Sequence, residues 1–184
     1  KEMIANVIGC NSKNQEITIP YSIIIESNEY VVTSISEGSF NNSKIRSIKF
    51  ASNSEVQIIE KEAFVDSKIE HIMIPPKLIE LKEGWCKNMA YLTDININPK
   101  NPNFQIYKNE LMIGKSSKCK DNYDCLVFCF RGAETIKIPS FIEHICPYSF
   151  QYCEYLLQIN FSRDSKLKTI GKYAFSYSSI ESIT

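Results

Sequence analysis

The chain has 184 residues, 43% of them hydrophobic, and its 21 basic side chains balance 21 acidic ones. That length can bury a core of its own, and zero net charge excludes a chain that grips nucleic acid or a polyanionic membrane by bulk electrostatics. No apolar run approaches the roughly 20 residues that span a bilayer, and the residues after Lys1 lack the basic-then-apolar layout of a secretion signal.

Isoleucine outnumbers leucine 28 to 8, beside 10 Tyr, 10 Phe and only 6 Gly. Branched and aromatic side chains suit a pleated, half-buried strand better than a helix, so a mainly β, α/β-poor fold is expected. In chain order, residues 3–8 alternate loosely and residues 10–16 read as a polar turn. Ile17-Thr18-Ile19-Pro20 is the first strand phrase. Residues 23–26 and 29–32 flank Ser27-Asn28 and predict a hairpin that covers the edge of the first coil. Residues 1–34 are therefore expected to form an N-terminal cap and the first strand phrase.

From residue 35 to 184 two linked phrases recur. The first, Ile-x-x-Ile-x-Ile-Pro, reads Ile45, Ile48, Phe50, then Ile69, Ile72, Ile74, Pro75, then Leu92, Ile95, Ile97 with Pro99 one residue late. It returns as Ala133, Ile136, Ile138, Pro139, as Leu156, Ile159, Phe161, and as Ile180, Ile183. Its middle position advances by 24, 23, 41, 23 and 24 residues, so one interval holds an insertion of about 18 residues. The second phrase is a small residue, an aromatic, and a Ser or Cys three further on. It reads Ser39-Phe40-Ser43, Ala63-Phe64-Ser67, Ser149-Phe150-Cys153 and Ala174-Phe175-Ser178, with Gly84-Trp85-Asn88 as the divergent copy. Ile35, Ile59, Ile145 and Ile170 stand five residues ahead of these aromatics, and Glu80 breaks the pattern before Trp85.

In Ile-x-Ile the two isoleucines point to one side of a strand, and the following proline, which has no N–H for the ladder, ends it. A coil of 23–24 residues exposes an apolar face that it cannot cover alone, and stacking successive coils buries it. The expected fold is a repeat solenoid, horseshoe- or arc-shaped, with a parallel sheet on one face. The insertion lies within residues 98–132. Asn98 to Asn103 is turn chemistry, residues 104–107, 111–113 and 126–130 are short strand candidates, and residues 114–124 are loop-like. Such a segment either lies on the binding face or is an extended but ordinary repeat. The sequence stops inside a strand phrase at Ile183-Thr184, and a C-terminal truncation is expected from that.

The phrases Ile72 to Pro75, Ile59-Ala63-Phe64, and Ile145-Ser149-Phe150-Cys153-Leu156-Ile159 resemble the BspA-like leucine-rich repeat family of surface antigens. The resemblance covers roughly residues 15–184. It implies a leucine-rich-repeat solenoid and a non-catalytic protein-binding role, as an adhesin or antigen at a cell surface or in secreted form.

Little in the chain carries catalytic chemistry. His71 and His144 are its only histidines, each at a repeat position that ordinary residues fill elsewhere. No phosphate loop, nucleophile elbow or paired carboxylates at a recognisable spacing occur, so no enzyme and no cofactor are expected. Cys119, Cys125 and Cys129 lack the paired spacing of a structural zinc site, and no metal is expected. A Cys119–Cys125 disulfide would close the insertion loop in an oxidising compartment. Cys153, sharing its slot with serines, reads as a small group under a turn. Asn41 and Asn160 head sequons for N-glycans.

With the isoleucines inward, the outward strand positions form a polar stripe. It runs through Thr18, Ser47 and Lys49, His71 and Met73, Asp94 and Asn96, Thr135 and Lys137, then Gln158 and Asn160. Such a flat, mixed-charge face suits a protein partner better than a small molecule, and no nucleic acid or membrane insertion is expected of it. Two alternatives stand beside the surface adhesin: an intracellular, cytoplasmic scaffold on the same solenoid, and a repeat domain attached to an enzyme elsewhere in a longer chain.

Overall fold

The computed structural model describes residues 3–10, 13–117 and 121–184, which fall into two compact units, Lys1–Pro102 and Asn103–Thr184. Among the described residues there is no helix.

The first unit contains β1 (Ile4–Val7), β2 (Glu16–Ile19), β3 (Ser22–Ile25), β4 (Asn28–Ile35), β5 (Ser47–Phe50), β6 (Ile58–Ile59), β7 (His71–Ile74), β8 (Glu80–Leu81) and β9 (Asp94–Ile97). The Ile-x-Ile phrases form one parallel sheet in the order β2-β5-β7-β9. Its register pairs Ile17 with Ile48, Ile48 with Ile72, and Ile72 with Ile95, so equivalent isoleucines stand in one column. Ile48, Ile72 and Ile95 are buried, and Phe50 and Ile74 line a second inward column. The stacked coils of a repeat solenoid are present as the periodicity predicts.

The second sheet, in the order β1-β4-β6-β8, was not foreseen. The apolar residue five positions ahead of each arc aromatic is itself a strand residue, with Ile35 paired to Ile59 and Ile59 to Leu81. Each coil therefore has two strands. β6 and β8 are two residues long, too short for alternation to show in sequence.

Backbone conformation corrects the third arc. The residues two before and two after the arc aromatic are left-handed in every copy: Gly38 and Asn42 around Phe40, Glu62 and Asp66 around Phe64, Tyr148 and Tyr152 around Phe150, Tyr173 and Tyr177 around Phe175. In the third arc the left-handed pair is Gly84 and Asn88, so the aromatic slot belongs to Cys86. Trp85 takes the small-residue slot, Met89 the Ser/Cys slot, and Leu81 falls five residues ahead as the rule requires. Met89 N donates to Cys86 O at 3.2 Å, as Ser67 N does to Phe64 O at 3.2 Å.

A non-glycine residue held left-handed costs about 1–3 kcal/mol. Bonds between coils offset that cost: Phe40 N donates to Ala63 O at 2.8 Å and Asn42 N to Val65 O at 3.1 Å. In the second unit the left-handed tyrosines also pack in pairs, Tyr148 tilted against Tyr173 at 5.6 Å and Tyr152 stacked on Tyr177 at 5.1 Å. Each such pair returns about 0.5–1.5 kcal/mol beyond its burial.

The predicted hairpin forms between β3 and β4, with its turn one residue earlier than Ser27-Asn28. Glu26 and Ser27 both have positive φ, 50° and 66°, the type I′ geometry that matches strand twist. Asn28 already pairs with Ile25, and its side-chain amide donates to Glu26 O at 3.3 Å.

The second unit contains β10 (Phe104–Tyr107), β11 (Leu111–Gly114), β12 (Cys125–Cys129), β13 (Thr135–Ile138), β14 (His144–Ile145), β15 (Gln158–Phe161), β16 (Thr169–Ile170) and β17 (Ser182–Ile183). β13-β15-β17 is the parallel sheet of strand phrases, with Ile136, Ile159 and Ile183 in one column. The insertion is an antiparallel meander, β10-β11-β12, whose last strand pairs in parallel with β14. Leu126, Ile145 and Ile170 thereby form a column. The 41-residue interval holds this meander. It supplies the first strands of the second unit's arc-side sheet, and every residue of β11 and β12 is buried.

One close approach requires glycine. A Cβ on Gly171 would lie 2.3 Å from Pro147 N and 2.7 Å from Cys146 C, backbone atoms that no rotamer can move. Gly171→Ala is expected to cost about 1–3 kcal/mol by forcing two coils apart. A thermal midpoint equal to the parent's would refute the close contact.

Candidate functional site

Alternation along β2, β5, β7 and β9 turns two polar columns outward. Register places Glu16, Ser47, His71 and Asp94 in one and Thr18, Lys49, Met73 and Asn96 in the other. All of these but Thr18 line a shallow groove of about 220 Å³ on the sheet face. Lys49, His71 and Asn96 are exposed, Met73 and Asp94 half-buried, and Ser47 buried.

Neighbouring strands are tied by charge. Lys49 Nζ lies 3.4 Å from Glu16 Oε2, and His71 Nδ1 lies 3.5 Å from Asp94 Oδ2. Asn96 Nδ2 donates to Asp94 Oδ2 at 2.8 Å, and Arg46 meets Glu70 at 2.6 Å. Exposed pairs of this kind contribute about 0–1 kcal/mol each, so they order the face more than they stabilise the fold.

Ser47, His71 and Asp94 share one column, a set of side chains that serves nucleophilic catalysis when hydrogen-bonded in series. Here no hydrogen bond joins Ser47 Oγ to His71 among the described contacts, and the backbone N–H groups that would stabilise an oxyanion belong to a sheet ladder. The arrangement can present donors, acceptors and one thioether to a partner surface.

The remaining stripe residues lie in the second unit. Thr135 and Lys137 are exposed; Gln158 and Asn160 are half-buried. Asn160 Oδ1 accepts from Gln158 Nε2 at 3.1 Å and from Thr184 Oγ1 at 2.6 Å. Asn160 is therefore engaged within the sheet, whereas the other sequon asparagine, Asn41, is exposed on an arc. The Cys119–Cys125 pairing falls on residue 119, outside the described residues.

One cluster escaped the sequence reading. Asp124, Glu143 and His144 bring ligand-type atoms within 4.8 Å of one another. Protein partners already engage them: Ser116 N and Oγ reach Asp124 at 2.7 and 2.6 Å, Lys168 Nζ lies 2.9 Å from Glu143, and His144 Nδ1 is 2.8 Å from Thr169 Oγ1. Only the parallel pairing of β12 with β14 brings these residues together, and that pairing is invisible without the meander. Among the described residues no helix is long and apolar enough to cross a membrane.

The sequence profile of the BspA type leucine-rich repeat region matches the chain in six copies, over residues 9–109 and 116–184. Among solved structures, a leucine-rich repeat protein from Eubacterium ventriosum superposes with a TM-score of 0.64 at 20% identity, covering 88% of this chain and 45% of that one. A leucine-rich cell surface protein from Faecalibacterium prausnitzii matches at 14% identity and TM-score 0.48, covering 91% of this chain and 68% of that one. The pneumococcal vaccine antigen PcpA matches at 16% identity and TM-score 0.46, covering 92% and 60%. The chain thus spans about half the length of the first two structural relatives, PcpA and the Eubacterium protein. No curated protein of significantly similar sequence was found.

Proposed function

The chain belongs to the BspA-type leucine-rich repeat family, and from that premise we propose that it is a non-catalytic module of a cell-surface adhesin or antigen that binds a protein through its polar sheet face. The observation that carries the reading is the sorting of each strand phrase into buried isoleucine columns and outward polar columns. A groove of about 220 Å³ is too small and open for a drug-sized ligand, whose pockets run to about 300–1,000 Å³. Each unit has its own polar sheet face with an exposed Lys, Lys49 in the first and Lys137 in the second, and such a face instead suits contact with an acidic patch on a folded protein.

The double charge reversal Lys49→Glu with Lys137→Glu is expected to reduce partner capture at least about tenfold, on the scale of two lost interfacial charge pairs. The thermal midpoint should fall by no more than a few degrees, because both side chains are exposed and the Lys49–Glu16 pair contributes only about 0–1 kcal/mol. Capture unchanged by the double variant would remove the sheet face as the contact surface. Protease treatment of intact source cells tests location independently. Digestion of the chain supports surface display, and full protection would instead favour an intracellular scaffold.

A further inference from the structure

Cys129 ends β12, and Cys153 follows the arc aromatic Phe150 by three residues. Cys129 N donates to Ser149 O at 2.8 Å, which ties Cys129 to the neighbouring coil that carries Cys153. Both are thiols here, each 1% exposed and packed in the same core cluster. Their side chains are in mutual hydrogen-bonding contact, and Cys153 Sγ lies 3.9 Å from the Cys129 carbonyl oxygen. Two of the three serines that fill this slot elsewhere bond within their own coil: Ser178 Oγ donates to Phe175 O at 2.6 Å, and Ser43 Oγ accepts from Ile45 N at 3.1 Å. Cys153 is turned toward the coil before it instead.

We propose that Cys129 and Cys153 are a disulfide site, their sulfurs joining two successive coils of the second unit. Glutathione disulfide is a sufficient oxidant. The Cys153 thiolate attacks it, releasing one glutathione and forming a mixed disulfide. The Cys129 thiolate then displaces the second glutathione, so two thiol protons and two electrons leave the protein and two glutathione molecules form. The hydrogen bond from Cys129 lowers the Cys153 thiol, while that bond and burial hold the Cys129 thiol up, so Cys153 ionises first. Because both sulfurs are buried, the exchange takes place as the coils close during folding.

The test is made on the purified full chain, refolded in a buffer of reduced and oxidised glutathione, alkylated and digested with trypsin. Cys129 falls in the peptide spanning residues 121–131 and Cys153 in that spanning 138–163, each with a second cysteine. The expected product is these two peptides linked, with fragmentation assigning the bond to Cys129 and Cys153. The oxidised chain should melt about 5–10 °C above its reduced form. Cys153→Ser, the residue its slot holds in three other coils, should abolish both the link and the difference in melting. Recovery of Cys129 and Cys153 both alkylated after refolding, or a link between other cysteines, would overturn the assignment. The result is read on the isolated chain, so it stands or falls apart from the choice of binding face.

Discussion

Phe150→Ala is expected to destabilise the second unit by about 3–5 kcal/mol, the range for truncating a fully buried aromatic. Phe150 is completely buried and its ring packs 5.0 Å from that of Phe175 on the next coil. Removing it deletes apolar contacts on both sides and leaves a cavity that left-handed Tyr148 and Tyr152, fixed by bonds to the adjacent coil, cannot collapse to fill. Phe175→Ala is the matched control. Phe175 is only half-buried, so its truncation should cost clearly less. Urea titration followed by circular dichroism measures both. A loss below about 1 kcal/mol for Phe150→Ala would mean that the arc aromatics do not carry the packing between coils.

The second large effect is expected from a polar residue. Asn101 is 7% exposed, and its Nδ2 donates to Pro75 O at 2.7 Å and to Leu78 O at 3.0 Å on the preceding coil. Its own N–H closes a turn on Asn98 O at 2.8 Å, which holds the side chain in place. Asn101→Ala removes two buried hydrogen bonds, at about 0.5–1.5 kcal/mol each, so a loss of about 1–3 kcal/mol is expected for the first unit. Asn101→Leu fills the space without restoring a donor and should recover only part of that loss. If leucine proves as stable as asparagine, volume and not hydrogen bonding is what the site requires. Equilibrium denaturation of the three chains decides between them.

Much of the architecture was legible because the strand phrases announce themselves. Ile48, Ile72 and Ile95 recur with alternation on either side and proline near the strand ends, and those cues fix both inward columns and outward stripe. What escaped was set by backbone and not by side-chain pattern. β6, β8, β14 and β16 are two residues each, below the length at which any period exists. In the third arc the size of Trp85 drew the alignment one residue out, whereas left-handed Gly84 and Asn88 identify Cys86 as the inward residue. On the candidate site, Lys49, His71, Met73, Asp94 and Asn96 were found by alternation alone. The Asp124–Glu143–His144 cluster and the Cys129–Cys153 contact were not, since each depends on β12 joining the coil series, and only tertiary pairing places it there.

The hydrogen bonds between coils run along the direction in which coils stack. Tension along that direction would load them one ladder at a time, as a zipper is opened, and not all together in shear. Each coil that peels away frees 23–24 residues, about 80 Å of extended chain. A tether built this way lengthens in steps under pull and dissipates work at each one, with the rest of the stack still closed behind it.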